Sequence, residues 1–131
     1  MNAINKAIYD QLAGGTALIT ALGGTAIYHL QAPDNVALPV VVFSWAGGGD
    51  TNETPATGQT QVEFIRVYHT NAYQAGVIDD LVRARLHKQS FSVTGGTVIW
   101  CAREDDYESV EQTASGVQVY TMGGNYRIAI T

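Results

Sequence analysis

Residues 62–88, VEFIRVYHTNAYQAGVIDDLVRARLHK, decide the fold of this chain. Residues 62–69 are rich in β-branched and aromatic side chains, which favour a β-strand. Residues 71–88 change to a helical period, with an apolar stripe made by Ala75, Ile78, Val82 and Leu86. The stretch therefore predicts a strand that leads directly into one long helix.

Polar residues in the same stretch support the helix. Asn71 is placed to cap its first turn. Asp79 lies four residues before Arg83, which is the favourable orientation for an ion pair on a helix surface. We expect these two charged side chains to pair with each other.

The sequence on both sides predicts the remaining elements. Two short helices are expected before residue 24, the first because Ile4, Ile8 and Leu12 repeat every four residues. Strands are expected over residues 25–30, 39–46, 91–94, 97–103 and 116–131. The order predicts an α+β fold, in which a mainly antiparallel sheet packs against the long helix at about 71–88 and the N-terminal helices. No repeat or linker divides the chain, so we expect one domain over residues 1–131.

Two glycine pairs fall at points where the strand pattern changes. Gly95-Gly96 separates two short predicted strands, which is typical of a two-residue hairpin turn. Gly123-Gly124 separates odd-numbered apolar positions from even-numbered ones in the last predicted strand. We therefore expect a β-bulge or a bend that shifts the register at Gly123-Gly124.

Residues 47–61 form a long polar stretch between two predicted strands. Loops of this length are uncommon in compact domains and are usually functional or disordered. The sequence predicts an extended hairpin loop at about 47–61, held by two adjacent antiparallel strands.

The densest charge in the chain is an acidic cluster formed by Glu104, Asp105, Asp106, Glu108 and Glu111. We interpret the cluster as a solvated hairpin loop between two strands. A weak cation site or a contact for a basic partner stays open as an alternative. The cluster lacks the alternating ligands and the glycine of a calcium-binding loop.

The composition argues against several classes of protein. The chain of 131 residues has 12 acidic residues and 7 Lys or Arg, for a formal charge of −5. Nucleic-acid binding requires clustered cations, and only Arg83, Arg85 and Lys88 cluster here. The N-terminus lacks the pattern of a signal peptide, and no apolar run reaches the roughly 18 residues of a membrane helix. Cys101 lies in an apolar run and is expected to be buried in a strand.

No sequence pattern indicates a catalytic site, a cofactor site or a metal site. The glycines at 47–49 lack the Gly-Lys-Ser/Thr of a phosphate loop, and Ser44 lacks the turn of a nucleophilic serine. The three histidines, His29, His69 and His87, lie far apart without metal-ligand spacing. We expect a protein that is not an enzyme and binds no cofactor.

Several motifs follow one another in the order found in a known family. Ile27-Tyr28 and Ala32-Pro33 precede LPVVVF at residues 38–43. The strand at 62–69 then runs into NAYQA and the helix end LVRARL at residues 81–86. In these motifs the chain resembles the tail completion or tail terminator proteins of long-tailed bacteriophages, over roughly residues 1–130. The residues after Cys101 add little to the resemblance.

The resemblance implies a homohexameric ring that caps the head-proximal end of the tail tube, ends tube polymerisation and provides the surface for head joining. The implied partners are further copies of the chain, the tail tube protein and the head–tail connector or neck protein. DNA would pass through the lumen without specific binding. The implied location is the virion tail, after assembly in the host cytoplasm. A connector or neck ring protein and a non-viral small binding module are the alternatives.

The expected contact residues lie in the polar loop and in the acidic cluster. They are Asp50, Thr51, Asn52, Glu53 and Thr54 in the loop, and Glu104, Asp105 and Asp106 in the cluster.

Overall fold

A computed structural model of the chain describes residues 3–50 and 59–130, and leaves the side chains at positions 49 and 50 undescribed. The helices are α1 Ala3–Ala13, α2 Thr16–Leu22 and α3 Ala72–Leu86. The strands are β1 Ile27–His29, β2 Val40–Asp50, β3 Gln59–His69, β4 Ser92–Val93, β5 Gly96–Gln112 and β6 Gln118–Ile130. The predicted order of helices and strands is confirmed.

The strands form a six-stranded sheet in the order β1-β2-β3-β6-β5-β4. β1 runs parallel to β2, and every other neighbouring pair is antiparallel. The predicted α+β class with a mainly antiparallel sheet is therefore confirmed. The predicted hairpin of two adjacent strands corresponds to β2 and β3.

The core lies between one face of the sheet and the helices. Alternate residues of β3 point into it, so Ile65 and Val67 are almost fully buried. The predicted apolar stripe of α3 is confirmed, since it is buried from Ala75 to Leu86. The predicted cap is also confirmed, because the side chain of Asn71 accepts a hydrogen bond of 3.0 Å from the Gln74 N–H. In β3 and α3, the local preference of the sequence and the burial of apolar side chains therefore favour the same structure.

The predicted loop at 47–61 is wrong at both ends. β2 continues to Asp50, which pairs with Gln59 at the start of β3, and Gly47 pairs with Val62. Pairing between strands overrides the low strand propensity of the glycines. Only residues 51–58 lie between the two strands, and they fall outside the described residues.

The predicted shift of register at Gly123-Gly124 is also wrong. β6 pairs with β3 without interruption there, and the irregularities of its pairing with β5 lie on β5, between Val98 and Trp100 and between Arg103 and Asp105. The glycines are explained by close approach of neighbouring strands. A Cβ atom at Gly123 would collide with the Ile65 carbonyl oxygen.

The hairpin turn between β4 and β5 is displaced by one residue from its predicted position. Val93 pairs with Gly96, so the two turn residues are Thr94 and Gly95. Gly95 has a φ of +84°, a conformation that glycine adopts without steric cost.

Candidate assembly surfaces

The acidic cluster lies on a strand, which corrects the predicted hairpin loop. β5 has 17 residues, and its pairing with β6 continues from Asp105, opposite Asn125, to Gln112, opposite Gln118. The turn to β6 comes later, where the Thr113 N–H donates to the Val117 carbonyl oxygen at 2.8 Å. β6 residues 118–125 carry no charge, so no acidic side chain faces another across this pair.

Two of the three expected contact residues on β5 are held by arginines. Glu104 accepts a hydrogen bond from Nε of Arg127. Asp106 accepts one from Nε of Arg103 at 2.7 Å. Asp105 is exposed. The arginines therefore fix the direction of two carboxylates on a surface that is otherwise open to solvent.

Arg103 connects β5 with α3 and β6. Its side chain is 7% exposed, and it donates to the carboxylate of Asp79 at 2.9 Å and to the Gly123 carbonyl oxygen at 2.5 Å. Burial raises the pKa of Asp79, and Arg103 opposes that rise. The predicted ion pair between Asp79 and Arg83 is wrong, because Asp79 turns inward to a partner that is distant in sequence.

A polar cleft of about 410 Å³ lies beside Arg103, between α3 and β5. Its lining residues are Asp79, Asp80, Arg83, Arg103, Asp106, Tyr107, Glu108 and Met122. The lining holds no Ser, Cys or His, so it lacks the nucleophile and imidazole base of a hydrolytic site. Arg103 pairs with two of its acidic groups, so the arrangement is suited to structural contact.

The two surfaces expected from the sequence lie towards opposite edges of the sheet. Asp50 ends β2, whereas residues 104–106 lie on β5, and β3 and β6 separate these two strands. The structure therefore does not bring the two sets together. Thr51, Asn52, Glu53 and Thr54 lie outside the described residues.

A buried polar group was missed by the sequence analysis. Gln61 and Glu63 are both 0% exposed, and the Gln61 amide donates to the Glu63 carboxyl group. With its amide in the orientation that satisfies its neighbours, Asn5 of α1 donates to Glu63 at 2.6 Å and accepts from Nε2 of His29 at 3.1 Å. Burial raises the pKa of Glu63 to about 7, against the opposing effect of the Gln61 hydrogen bond. The sequence signal for this group was the alternation of residues along β3, which places Gln61 and Glu63 on the same strand face as Ile65.

The histidines and the cysteine lie in ordinary structural environments. Nδ1 of His87 accepts a hydrogen bond of 3.0 Å from the Arg103 N–H, and Nδ1 of His69 accepts one of 3.3 Å from the Asn71 N–H. Cys101 is buried in β5, as predicted. Within residues 3–50 and 59–130, no group of three or more His, Cys, Asp or Glu side chains could hold a metal ion. In the same part of the chain, no helix has the length and apolarity to cross a membrane.

The fold places one polar and one acidic strand segment at the two edges of the same sheet. The sequence matches the family described as "Tail completion protein gp17" over residues 6–125. The chain belongs to this family, and it is a structural, non-enzymatic tail completion protein of a phage-like virion.

The fold is also found in a solved structure. A chain of the structure titled "Virion of native gene transfer agent (GTA) particle" is similar with a TM-score of 0.74 and 18% sequence identity. The similarity covers 98% of this chain and 96% of that chain. At this identity the likeness concerns the fold. No curated protein matches the sequence.

Proposed function

We propose that this chain forms a homohexameric ring that caps the head-proximal end of the tail tube, ends tube polymerisation and provides the surface for head joining. The observation that carries the proposal is the match to the tail completion family over residues 6–125. The shared fold with a virion component over nearly the whole chain supports it. Residues 1–131 would act as one domain of this ring.

The proposed partners are further copies of the chain, the tail tube protein and the head–tail connector or neck protein. The ring would assemble in the host cytoplasm and remain in the virion, at the head-proximal end of the tail. Its formal charge of −5 per copy suits a duct for DNA, because like charges repel and the DNA would pass without specific binding.

The proposed contact surfaces are those expected from the sequence. The first consists of Asp50, Thr51, Asn52, Glu53 and Thr54, and the second of Glu104, Asp105 and Asp106. Because β2 and β5 are separated by two strands, the two surfaces would meet different neighbours.

Electron microscopy of tails assembled without this chain tests the proposal. The expected result is tubes longer than normal, because nothing stops their polymerisation. Tails of normal length that fail to join heads would instead indicate a connector or neck ring protein. Complete, infectious particles would show that the chain has no role in tail completion.

A further inference from the structure

The outer edge of β2 is covered along only half of its length. β1 pairs with residues 41–43, and the Leu30 N–H donates to the Phe43 carbonyl oxygen at 2.9 Å. From residue 44 to residue 50, no strand of the described chain lies beside β2 on that side. Such an edge offers unpaired backbone groups to another strand.

The outer edge of β5 is also covered along only half of its length. β4 pairs with its first two residues, and the Lys88 N–H donates to the Cys101 carbonyl oxygen at 2.6 Å. The imidazole of His87 accepts from the Arg103 N–H at 3.0 Å. Beyond this point, no described strand lies beside residues 104–112 on the outer side.

Along the direction of the strands, the two open half-edges lie at opposite ends of the sheet. Gly47, in the open half of β2, is level with Arg127 of β6 through its pairing with Val62. Glu108, in the open half of β5, is level with Met122 of β6. Each open half is therefore level with the covered half of the opposite edge. An interface between the β2 edge of one copy and the β5 edge of another joins two different surfaces, so it is heterologous, the kind that generates rings when the rotation closes.

Charge disfavours the pairing of two β5 edges with each other. The open half of β5 holds five acidic residues, and the seven other acidic residues of the chain equal its seven Lys and Arg. Two β5 edges side by side would therefore set like charges against each other, which destabilises a strand pair. Residues 44–49 of β2 carry no charge. The β2 edge can therefore lie beside the acidic β5 edge without facing like charges, except at Asp50.

We propose that residues 104–112 of one copy pair, antiparallel, with residues 44–50 of the next copy. Three antiparallel pairings separate β2 from β5, so the two strands run in opposite directions in the sheet. A second copy placed in the same orientation therefore presents its β2 antiparallel to β5. This inference rests on the proposed function, since it names the contact through which copies of the chain would form the ring.

The displacement between the two half-edges suits a closed assembly. Arg127 and Met122 are five residues apart on β6, about 17 Å at ~3.3 Å per residue. Four strands, from β2 to the next copy's β2, span about 19 Å at ~4.8 Å each. These two lengths correspond to a strand tilt of about 40°, within the range of strands in closed barrels.

The β2 half-edge contains groups that would change on pairing. Trp45 is 51% exposed, and its indole N–H donates to the Gly47 carbonyl oxygen. A strand beside residues 44–50 would cover part of the Trp45 indole.

Two substitutions of one exposed residue test the pairing. Ala46 lies in the open half of β2, at an irregularity in the pairing with β3. Ala46→Glu should weaken assembly at least tenfold, measured by sedimentation at low salt, because it places a carboxylate beside the acidic β5 edge. The matched control Ala46→Lys should assemble as well as the wild type or better. The Ala46→Glu/Glu108→Lys double variant should regain assembly.

Cysteine cross-linking supplies a second measurement that does not depend on those variants. Ala46→Cys/Glu108→Cys should oxidise into covalent chains longer than dimers, because each copy then carries both halves of a heterologous contact. Either single variant should give at most dimers. A double variant that stops at dimers would overturn the proposed pairing.

The outcomes separate this inference from the proposed function. If Ala46→Glu and Ala46→Lys assemble equally, with circular dichroism showing both folded, the edge pairing is wrong although ring formation stands. If the wild type remains a monomer both in solution and on purified tails, the ring itself is wrong.

Discussion

Glu63 is the residue whose environment is least expected for its type. It is fully buried and accepts hydrogen bonds from Gln61 and Asn5. Burial raises its pKa from 4.5 to about 7. The folded chain therefore retains a proton that the unfolded chain releases above about pH 4.5.

Stability should therefore fall as the pH rises through the window between the two pKa values of Glu63, 4.5 when unfolded and about 7 when folded. In this window the native state binds more protons than the unfolded state, so the contribution is complete below the window and lost above it. The shift corresponds to about 3 kcal/mol. Glu63→Gln should remove this pH dependence and exceed the wild type in stability at pH 8.

Urea unfolding at pH 5 and pH 8 measures this effect. Glu104→Gln is the control, because it removes the charge of a partly exposed carboxylate instead of a buried one. A Glu63→Gln protein that lost as much stability as the wild type between the two pH values would contradict the prediction.

At the scale of single elements, the glycines divide into those that the packing requires and those that it does not. β3 and β6 approach so closely that a Cβ atom at Gly123 would collide with the Ile65 carbonyl oxygen. Gly76 lies within α3, where an added Cβ atom meets nothing within 4 Å.

Gly123→Ala and Gly76→Ala should therefore change the free energy of unfolding in opposite directions. Gly123→Ala should destabilise the fold by about 1–3 kcal/mol, because β6 must move away from β3. Gly76→Ala should stabilise it by about 0.5–1 kcal/mol, because alanine favours the helix interior. Chemical denaturation of both variants measures the difference, and equal tolerance of the two substitutions would contradict the packing argument.

The elements also show where sequence patterns succeed and where they fail. The stripe from Ala75 to Leu86 predicted α3, because helical periodicity is a local property of the sequence. The acidic half of β5 predicted a loop, since carboxylates are depleted in strands. Its strand conformation depends on pairing with β6, and Glu104 is held by Arg127 of β6, 23 residues away in sequence. Likewise, alternation in β3 marks Gln61 and Glu63 as core-facing, but their partner Asn5 comes from α1.

At the scale of the whole molecule, the arrangement of surfaces could not be predicted although their residues could. Both candidate surfaces stand out in the sequence as polar or acidic stretches. Their placement on β2 and β5, two strands apart, follows from the sheet order β1-β2-β3-β6-β5-β4. Long-range strand pairing sets that order, and local sequence patterns do not encode it.

Replacing residues 51–58 with a two-residue Asn-Gly turn should leave the fold intact and impair tail completion. Asp50 and Gln59 are already paired, so a two-residue connection fits between them. We expect an unchanged melting temperature together with loss of stacking on the tail tube or of head joining, seen by electron microscopy. A Gly-Ser segment of eight residues controls for loop length. Normal tails from the Asn-Gly variant would show that these residues are a passive part of the surface.

The burial of Cys101 has a practical consequence for measurements on the assembled protein. It is the only cysteine of the chain, it is fully buried, and burial raises the pKa of its thiol to about 12. Alkylating reagents attack the thiolate, which this thiol does not form at neutral pH. A cysteine introduced at any exposed position would therefore be the sole site of labelling, so spectroscopic probes can report distances between copies without removal of the native cysteine.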